Sequence, residues 1–252
     1  MERQPPRLCG VAGAQPVAPG CPGYAKPIKL NFVTDNAATT YNNELNVTGI
    51  RETMRTRGTA IAGPHQRALG ITSSQIGLNI SGKTFAVPAS GGYCVYLREV
   101  DVSFGYRSMD VLIASEYRPN SCEYNAIIDH ENQHVAINRE ALKQYAPRIR
   151  QALEKQMQTL QPKFTRDPQT GTDRSVANLQ LTVTPLMEEM EQVLSERNAV
   201  IDNNVNYSAI GELCKNWDKG NVWPPAQPAP NRGESPAPRI KDLRPAPKQK
   251  AS

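Results

Sequence analysis

The sequence contains no long apolar run and few aromatic residues, which make up 6% of its 252 positions. A membrane-spanning helix needs about 20 consecutive apolar residues, so no such helix is expected. The first 26 residues are interrupted by proline and glycine and lack the apolar stretch of a secretory signal peptide. Two alternatives are therefore open. Either the protein is cytoplasmic, or the given sequence starts after a leader peptide that has been removed.

The net charge outside the C-terminus is small, although the whole chain has a net charge of +5. Residues 223–252 hold eight prolines, six basic and two acidic side chains, which account for +4 of that charge. A basic face for nucleic acid is thus not expected in the folded part. The composition predicts a flexible leader (1–26), one folded domain (27–222) and a disordered, basic, proline-rich tail (223–252).

The five cysteines include no Cys-x-x-Cys pair, so a zinc site built from cysteines is not expected. Cys94 and Cys122 flank a predicted run of strands. A disulfide between them is predicted if the protein is exported, and two buried thiols if it is cytoplasmic.

Alternating apolar and polar residues predict a strand hairpin over 27–35 and 44–51. The Gly-, Ser- and Thr-rich region 55–82 is interpreted as a loop with a short helix. Three further strands, split by Gly91-Gly92 and by Gly105-Tyr106-Arg107, are predicted to form a meander over residues 83–89, 93–104 and 108–117.

Helical periodicity predicts a long helix from Cys122 to about Leu160, with Asn120 and Glu123 as its N-terminal capping pair. A second helix, beginning near 176 or 185 and ending near 204, is predicted to pack antiparallel to the first. The expected fold class is therefore α+β, with an antiparallel sheet packed on a two-helix hairpin.

The long helix contains the motif His130-Glu131-Asn132-Gln133-His134. Two histidines four residues apart lie one helical turn from each other, so both imidazoles can bind one zinc ion. Glu131 then faces the metal-bound water and can accept its proton. The motif also falls on the predicted buried stripe of the helix, where polar side chains need partners, and this favours a metal over a solvated patch.

A third protein ligand is required, and three residues are candidates. Folding the helices back near Pro168 places Asp202 opposite the histidines, and Tyr207 follows it as a further ligand or as a donor to a developing oxyanion. Glu140 is the third candidate. An extended form of the motif has its third ligand at this position and a glycine three residues earlier, where this chain has Ile137.

The segment Ser121-Cys122-Glu123-Tyr124-Asn125-Ala126-Ile127-Ile128-Asp129-His130-Glu131-Asn132-Gln133-His134-Val135 resembles the bacterial predicted secreted zinc-dependent proteases, a family with the His-Glu-x-x-His motif. The resemblance covers roughly residues 27–217 and implies a zincin-like metallopeptidase domain and a periplasmic or secreted location. The family's second helix ends in Tyr-Asp-x-x-Thr-x-His-Gly. Tyr207 stands here in place of that histidine.

The predicted function is zinc-dependent hydrolysis of peptide bonds, with His130, His134 and Asp202 as ligands and Glu131 and Tyr207 as catalytic residues. A peptide or protein is the expected substrate, paired with the strand over 109–117. A non-catalytic domain stabilised by zinc, a metal-free interaction module and a different zinc hydrolase are the alternatives. The oligomeric state is left open.

Overall fold

The computed structural model of the protein describes residues 20–23, 26–56 and 68–217. Within these ranges the fold is α+β, as predicted, with one open five-stranded sheet and four helices. The predicted tail lies outside the described residues, as does the predicted leader except for residues 20–23 and 26. The elements are, in chain order, β1 (Lys29–Asn36), β2 (Thr39–Asn42), α1 (Val47–Thr56), β3 (Gly70–Ala89), β4 (Gly92–Ile113), α2 (Cys122–Thr159), β5 (Lys163–Thr165), α3 (Pro168–Ile201) and α4 (Asn204–Leu213).

The 22-residue strand β4 is the centre of the sheet. Along one edge it pairs with β3, antiparallel and over nearly its whole length. Along the other edge it pairs in succession with β5, β1 and β2, of which β1 and β2 run parallel to it. Both edges of β4 are therefore occupied at Met109–Leu112, and a peptide cannot pair with this strand as predicted.

The prediction of an antiparallel sheet with an N-terminal hairpin is wrong. β1 and β2 pair with β4 and not with each other, so the sheet is mixed. The second predicted strand, 44–51, is largely helix α1, whose buried residues Val47 and Ile50 are three positions apart. That spacing fits a helix, and the Asn46 side chain caps its start by accepting from Gly49 N–H.

The predicted loop over 55–82 is also wrong for its second half, which forms β3. The predicted break at Gly105-Tyr106-Arg107 is a β-bulge inside β4, because Gln75 pairs with Ser108 and Ile76 with Tyr106, which leaves Arg107 as the extra residue. A bulge shifts the alternation of side chains by one position. Buried residues accordingly change from even to odd numbers along β4, as seen at Val100, Val102, Phe104, Tyr106, Met109, Val111 and Ile113.

Helix α2 agrees with the predicted bounds, and its buried stripe includes both the motif and the apolar residues that follow it. The N-cap is Ser121, which accepts from Tyr124 N–H, and the predicted cap Asn120 instead has a positive φ of 69°. Helix α3 begins at Pro168, earlier than predicted, with Asp167 as its cap. The hydrogen bonds that join the two helices show that they run antiparallel.

Two disulfides replace the predicted Cys94–Cys122 pair. Cys94 is bonded to Cys21, and Cys122 is bonded to Cys214, with Cα–Cα distances of 5.5 and 5.8 Å. Each therefore joins one predicted partner to a segment near an end of the described chain. No helix within the described ranges is both long and apolar enough to cross a membrane.

Candidate metal centre

His130 and His134 lie on consecutive turns of α2, on the side that faces the end of α3. Nε2 of each ring lies 3.2 Å from Oδ1 of Asp202. The two ring planes are inclined by 88°, and their centroids are 5.0 Å apart. Because four residues make about one helical turn, both rings reach the same point beside the helix.

Asp202 reaches this point because α3 ends there. It is the C-cap of α3, with φ −88° and ψ 43°, and its N–H donates to the carbonyl of Asn198. The next residue, Asn203, caps α4 by accepting from the N–H of Asn206 at 2.9 Å. The short break between the two helices therefore brings the Asp202 carboxylate to the histidines of α2.

His130, His134 and Asp202 form a group that could hold a metal ion, since one ligand atom from each lies within 4.8 Å of the others. Two imidazole nitrogens and one carboxylate oxygen are donors that suit a first-row divalent cation. The His130 side chain is 5% exposed, whereas that of Asp202 is 38% exposed. The group is therefore buried on the α2 side and open to solvent on the Asp202 side.

The charges of the group favour a cation. Burial alone would raise the pKa of the Asp202 carboxyl, but hydrogen bonds with His130 and His134 hold it well below its usual range. Burial lowers the pKa of His134, yet the hydrogen bond and charge of Asp202 outweigh this effect and raise the pKa to about 9. Without a metal the site thus holds an ion pair near neutral pH, and a bound cation would replace the His134 proton.

A side chain of α3 fixes the orientation of the His134 ring. Asn198 Oδ1 lies 2.8 Å from His134 Nδ1 and accepts its hydrogen bond. This leaves Nε2 as the nitrogen available to a metal, an arrangement typical of histidine ligands. Asn198 lies four residues before Asp202, so one face of α3 supplies both contacts.

Glu131 follows His130 on α2, near enough to the ligand group for their charges to interact, and its side chain contacts β3. It is 5% exposed, and its Oε2 accepts a hydrogen bond of 2.8 Å from Oγ1 of Thr72. The same hydroxyl lies 3.0 Å from the main-chain oxygen of Glu131. Burial raises the pKa of the Glu131 carboxyl, and the nearby histidines and Thr72 oppose that rise.

Gly70 provides the space that the Glu131 side chain occupies. A Cβ atom at position 70 would lie 2.7 Å from Glu131 Oε1 and 2.8 Å from Ile127 Cγ2, closer than real Cβ atoms approach other heavy atoms. An alanine at this position would therefore push Glu131 away from Thr72.

If Glu131 is the general base that the sequence predicts, Gly70→Ala should reduce catalytic turnover by roughly 10- to 100-fold, because displacement of a reacting group by about 1 Å can cost that much. Metal content should be unchanged, since Glu131 is outside the ligand group. Gly77→Ala is the matched control on the same strand, because the three atoms nearest to its Cβ all belong to the exposed side chain of Arg107. Equal turnover in both variants would contradict this role of Gly70.

Tyr207, on α4, lies over the same group. Its hydroxyl donates a hydrogen bond of 2.8 Å to Asp202 Oδ1, and its ring centroid is 5.5 Å from that of His130. Burial and the charge of Asp202 raise the pKa of the Tyr207 hydroxyl. The hydroxyl therefore stays protonated near neutral pH and acts as a donor.

The structure thus brings together five of the six residues singled out in the sequence. The sixth, Glu140, is exposed on α2 and is not part of the ligand group. Sequence reasoning missed Thr72 and Gly70, because their strand was interpreted as a loop. It also missed Asn198, although the four-residue spacing between Asn198 and Asp202 on one helix was a usable signal.

No protein-family model, curated protein or solved structure matches this chain. The family resemblance of the motif segment therefore stays a prediction.

Proposed function

We propose that the protein is a zinc-dependent peptidase in which His130, His134 and Asp202 hold the metal and Glu131 is the general base. The observation that carries the proposal is the burial of Glu131 beside an open group of three ligands. A zinc ion that only stabilises a fold normally has four protein ligands, whereas a catalytic zinc has three and an open position. The group among the described residues has three.

The donor set fits zinc, and the surrounding residues favour hydrolysis. Two histidines and one carboxylate also bind iron(II) in oxygenases, so the ligands alone do not select the reaction. Glu131 favours a hydrolase, because a buried carboxylate next to the ligands provides a proton acceptor that oxygen chemistry does not need. Metal analysis distinguishes the two cations.

The residues around the metal group have separate tasks in the proposed reaction. Zinc, when bound, polarises the scissile carbonyl and lowers the pKa of its water toward ~7. Glu131 accepts the proton of the attacking water and later delivers it to the leaving amine. Its raised pKa brings the carboxyl closer to the pH at which it must exchange protons. Thr72 keeps Oε2 in place during both transfers.

Tyr207 is suited to stabilise the negative charge that develops on the carbonyl oxygen. It is a protonated donor next to Asp202, and it lies on the side where the group is open to solvent. Its one O–H proton is donated to Asp202 in the structure, so in this role the hydroxyl rotates from Asp202 to the oxyanion as the negative charge forms.

The substrate is proposed to be an extended peptide that pairs with the outer edge of β3. β4 is enclosed on both sides, but no strand within the described ranges pairs with the outer edge of β3. Gly70 and Thr72 of this strand contact Glu131, so a peptide added here would pass close to the base. Binding through the main chain requires little side-chain specificity.

The two disulfides support a periplasmic or secreted location as part of the proposal. Disulfides persist in oxidising compartments and are rare in the cytosol. They join Cys21 to Cys94 and Cys122 to Cys214.

The proposal is tested by removing the metal. We expect the purified full-length protein to cleave an unstructured protein such as casein, to lose this activity with 1,10-phenanthroline, and to regain it when zinc is restored. Magnesium added instead of zinc is the control and should restore nothing. Cleavage that is insensitive to the chelator, or no cleavage by a zinc-loaded sample, would contradict the proposal.

A further inference from the structure

The segment of residues 203–214, which we call the strap, consists of helix α4 and one residue at each end. Its ten-residue helix buries no side chain and packs mainly against α2. An isolated helix shorter than about 12 residues is marginal in water. The position of the strap therefore depends on how its two ends are fastened.

One end of the strap is continuous with the metal group. Asn203 follows Asp202 directly and caps α4, and the Tyr207 hydroxyl returns to Asp202 Oδ1 at 2.8 Å. The Tyr207 side chain thus links the strap directly to the ligand group.

The other end is fastened to the start of α2 by the Cys122–Cys214 disulfide. Just beyond it, Asn216 N–H donates to Glu123 Oε1 at 3.0 Å, and the Trp217 ring packs edge-on against Tyr117. Cys122 lies eight residues before His130 on the same helix, a rise of about 12 Å. The disulfide therefore joins the strap to the helix that carries both histidines.

We propose that the Cys122–Cys214 disulfide positions Tyr207 against Asp202 and thereby makes the metal affinity of the site depend on oxidation. This rests on the proposed function, in that the group binds zinc. A dithiol reductant breaks the S–S bond, gives each sulfur one electron and one proton, and is itself oxidised to a disulfide. Cys122 is exposed and Cys214 is buried, so a reductant would reach this bond from the Cys122 side.

Loss of the disulfide leaves this end of the strap without a covalent link, held only through the Asn216–Glu123 hydrogen bond and the Trp217–Tyr117 contact just beyond it. Segments that bury few apolar contacts open locally at low cost in free energy. When the strap opens, Asp202 loses the hydrogen bond from Tyr207. Loss of a hydrogen-bond partner behind a metal ligand typically weakens metal binding by about 10- to 100-fold.

The test uses three forms of the full-length chain besides the wild type. The double variant Cys122→Ser/Cys214→Ser removes the disulfide at the site, and Cys21→Ser/Cys94→Ser is the matched control that removes the other one. Tyr207→Phe removes only the hydrogen bond to Asp202. Zinc affinity is measured by competition with a chromophoric chelator, and hydrogen exchange of residues 204–213 is measured without metal.

We expect Cys122→Ser/Cys214→Ser to bind zinc about tenfold more weakly or worse, and to exchange faster over the strap. Tyr207→Phe should show a similar loss of affinity without faster exchange, and Cys21→Ser/Cys94→Ser should match the wild type in both. Zinc affinity within about twofold of wild type in either Cys122→Ser/Cys214→Ser or Tyr207→Phe would overturn the inference and leave the peptidase proposal standing. A wild type that binds no zinc would overturn both.

Discussion

Replacement of Glu131 by glutamine is expected to lower kcat by roughly 10²- to 10⁴-fold, the range that general base catalysis contributes. Glutamine has nearly the same shape and retains an oxygen that can accept from Thr72 Oγ1. An amide, however, cannot take a proton from water. Zinc content should stay unchanged, because Glu131 is not one of the ligands.

The measurement is kcat on a quenched fluorescent peptide, with zinc content determined on the same samples. Asp129→Asn serves as the control, since it removes an exposed carboxylate from the same helix and should leave both quantities unchanged. If Glu131→Gln kept most of its activity, Glu131 would not be the base. If it lost its zinc, the residue would act through metal binding.

Asp202→Ala should reduce zinc affinity by more than about 100-fold. Loss of a residue that only hydrogen-bonds to a metal ligand costs up to about 100-fold, and loss of a ligand itself should cost more. The variant removes one of three ligands and also the negative charge that keeps the site attractive to a cation. The two histidines would still bind zinc weakly. Affinity is measured by competition with a chelator of known strength.

Glu140→Ala distinguishes the two carboxylates that the sequence offered as third ligands. Glu140 is exposed and outside the ligand group, so its removal should leave zinc affinity unchanged. The reverse result, loss of zinc in Glu140→Ala and retention in Asp202→Ala, would show that the carboxylate from α3 is not a ligand.

The long helix and the position of the motif on it were predictable, because a single helical stripe is encoded by local spacing. Residues from Ile127 to Tyr145 at intervals of three and four are buried or half-buried in the structure. The position of Asp202 could be predicted with one further assumption, namely that the two helices pack antiparallel. Their hydrogen bonds agree with that arrangement.

The sheet was harder to predict, because strand pairing depends on contacts between residues far apart in sequence. β3 is rich in glycine, serine and threonine, which is typical of loops, and it is held as a strand by its pairing with β4. The glycine at 105 was interpreted as part of a turn. It has a φ of 147°, and a side chain there would overlap the main chain of Asp35 in β1.

The disulfides were mispredicted for the same reason. Cys94 and Cys122 flank the same region of sequence, but each is bonded to a different cysteine, Cys94 to Cys21 and Cys122 to Cys214. Both of these partners lie outside the predicted strand region between Cys94 and Cys122. Sequence spacing alone does not determine which cysteines pair.

The most direct test of the central claim is the zinc content of the full-length protein by mass spectrometry, compared with that of His130→Ala and His134→Ala. We expect about one zinc per chain in the wild type and almost none in either variant, because each removes a ligand from a group of three. A correctly folded wild type without zinc, or variants that retain it, would contradict the account.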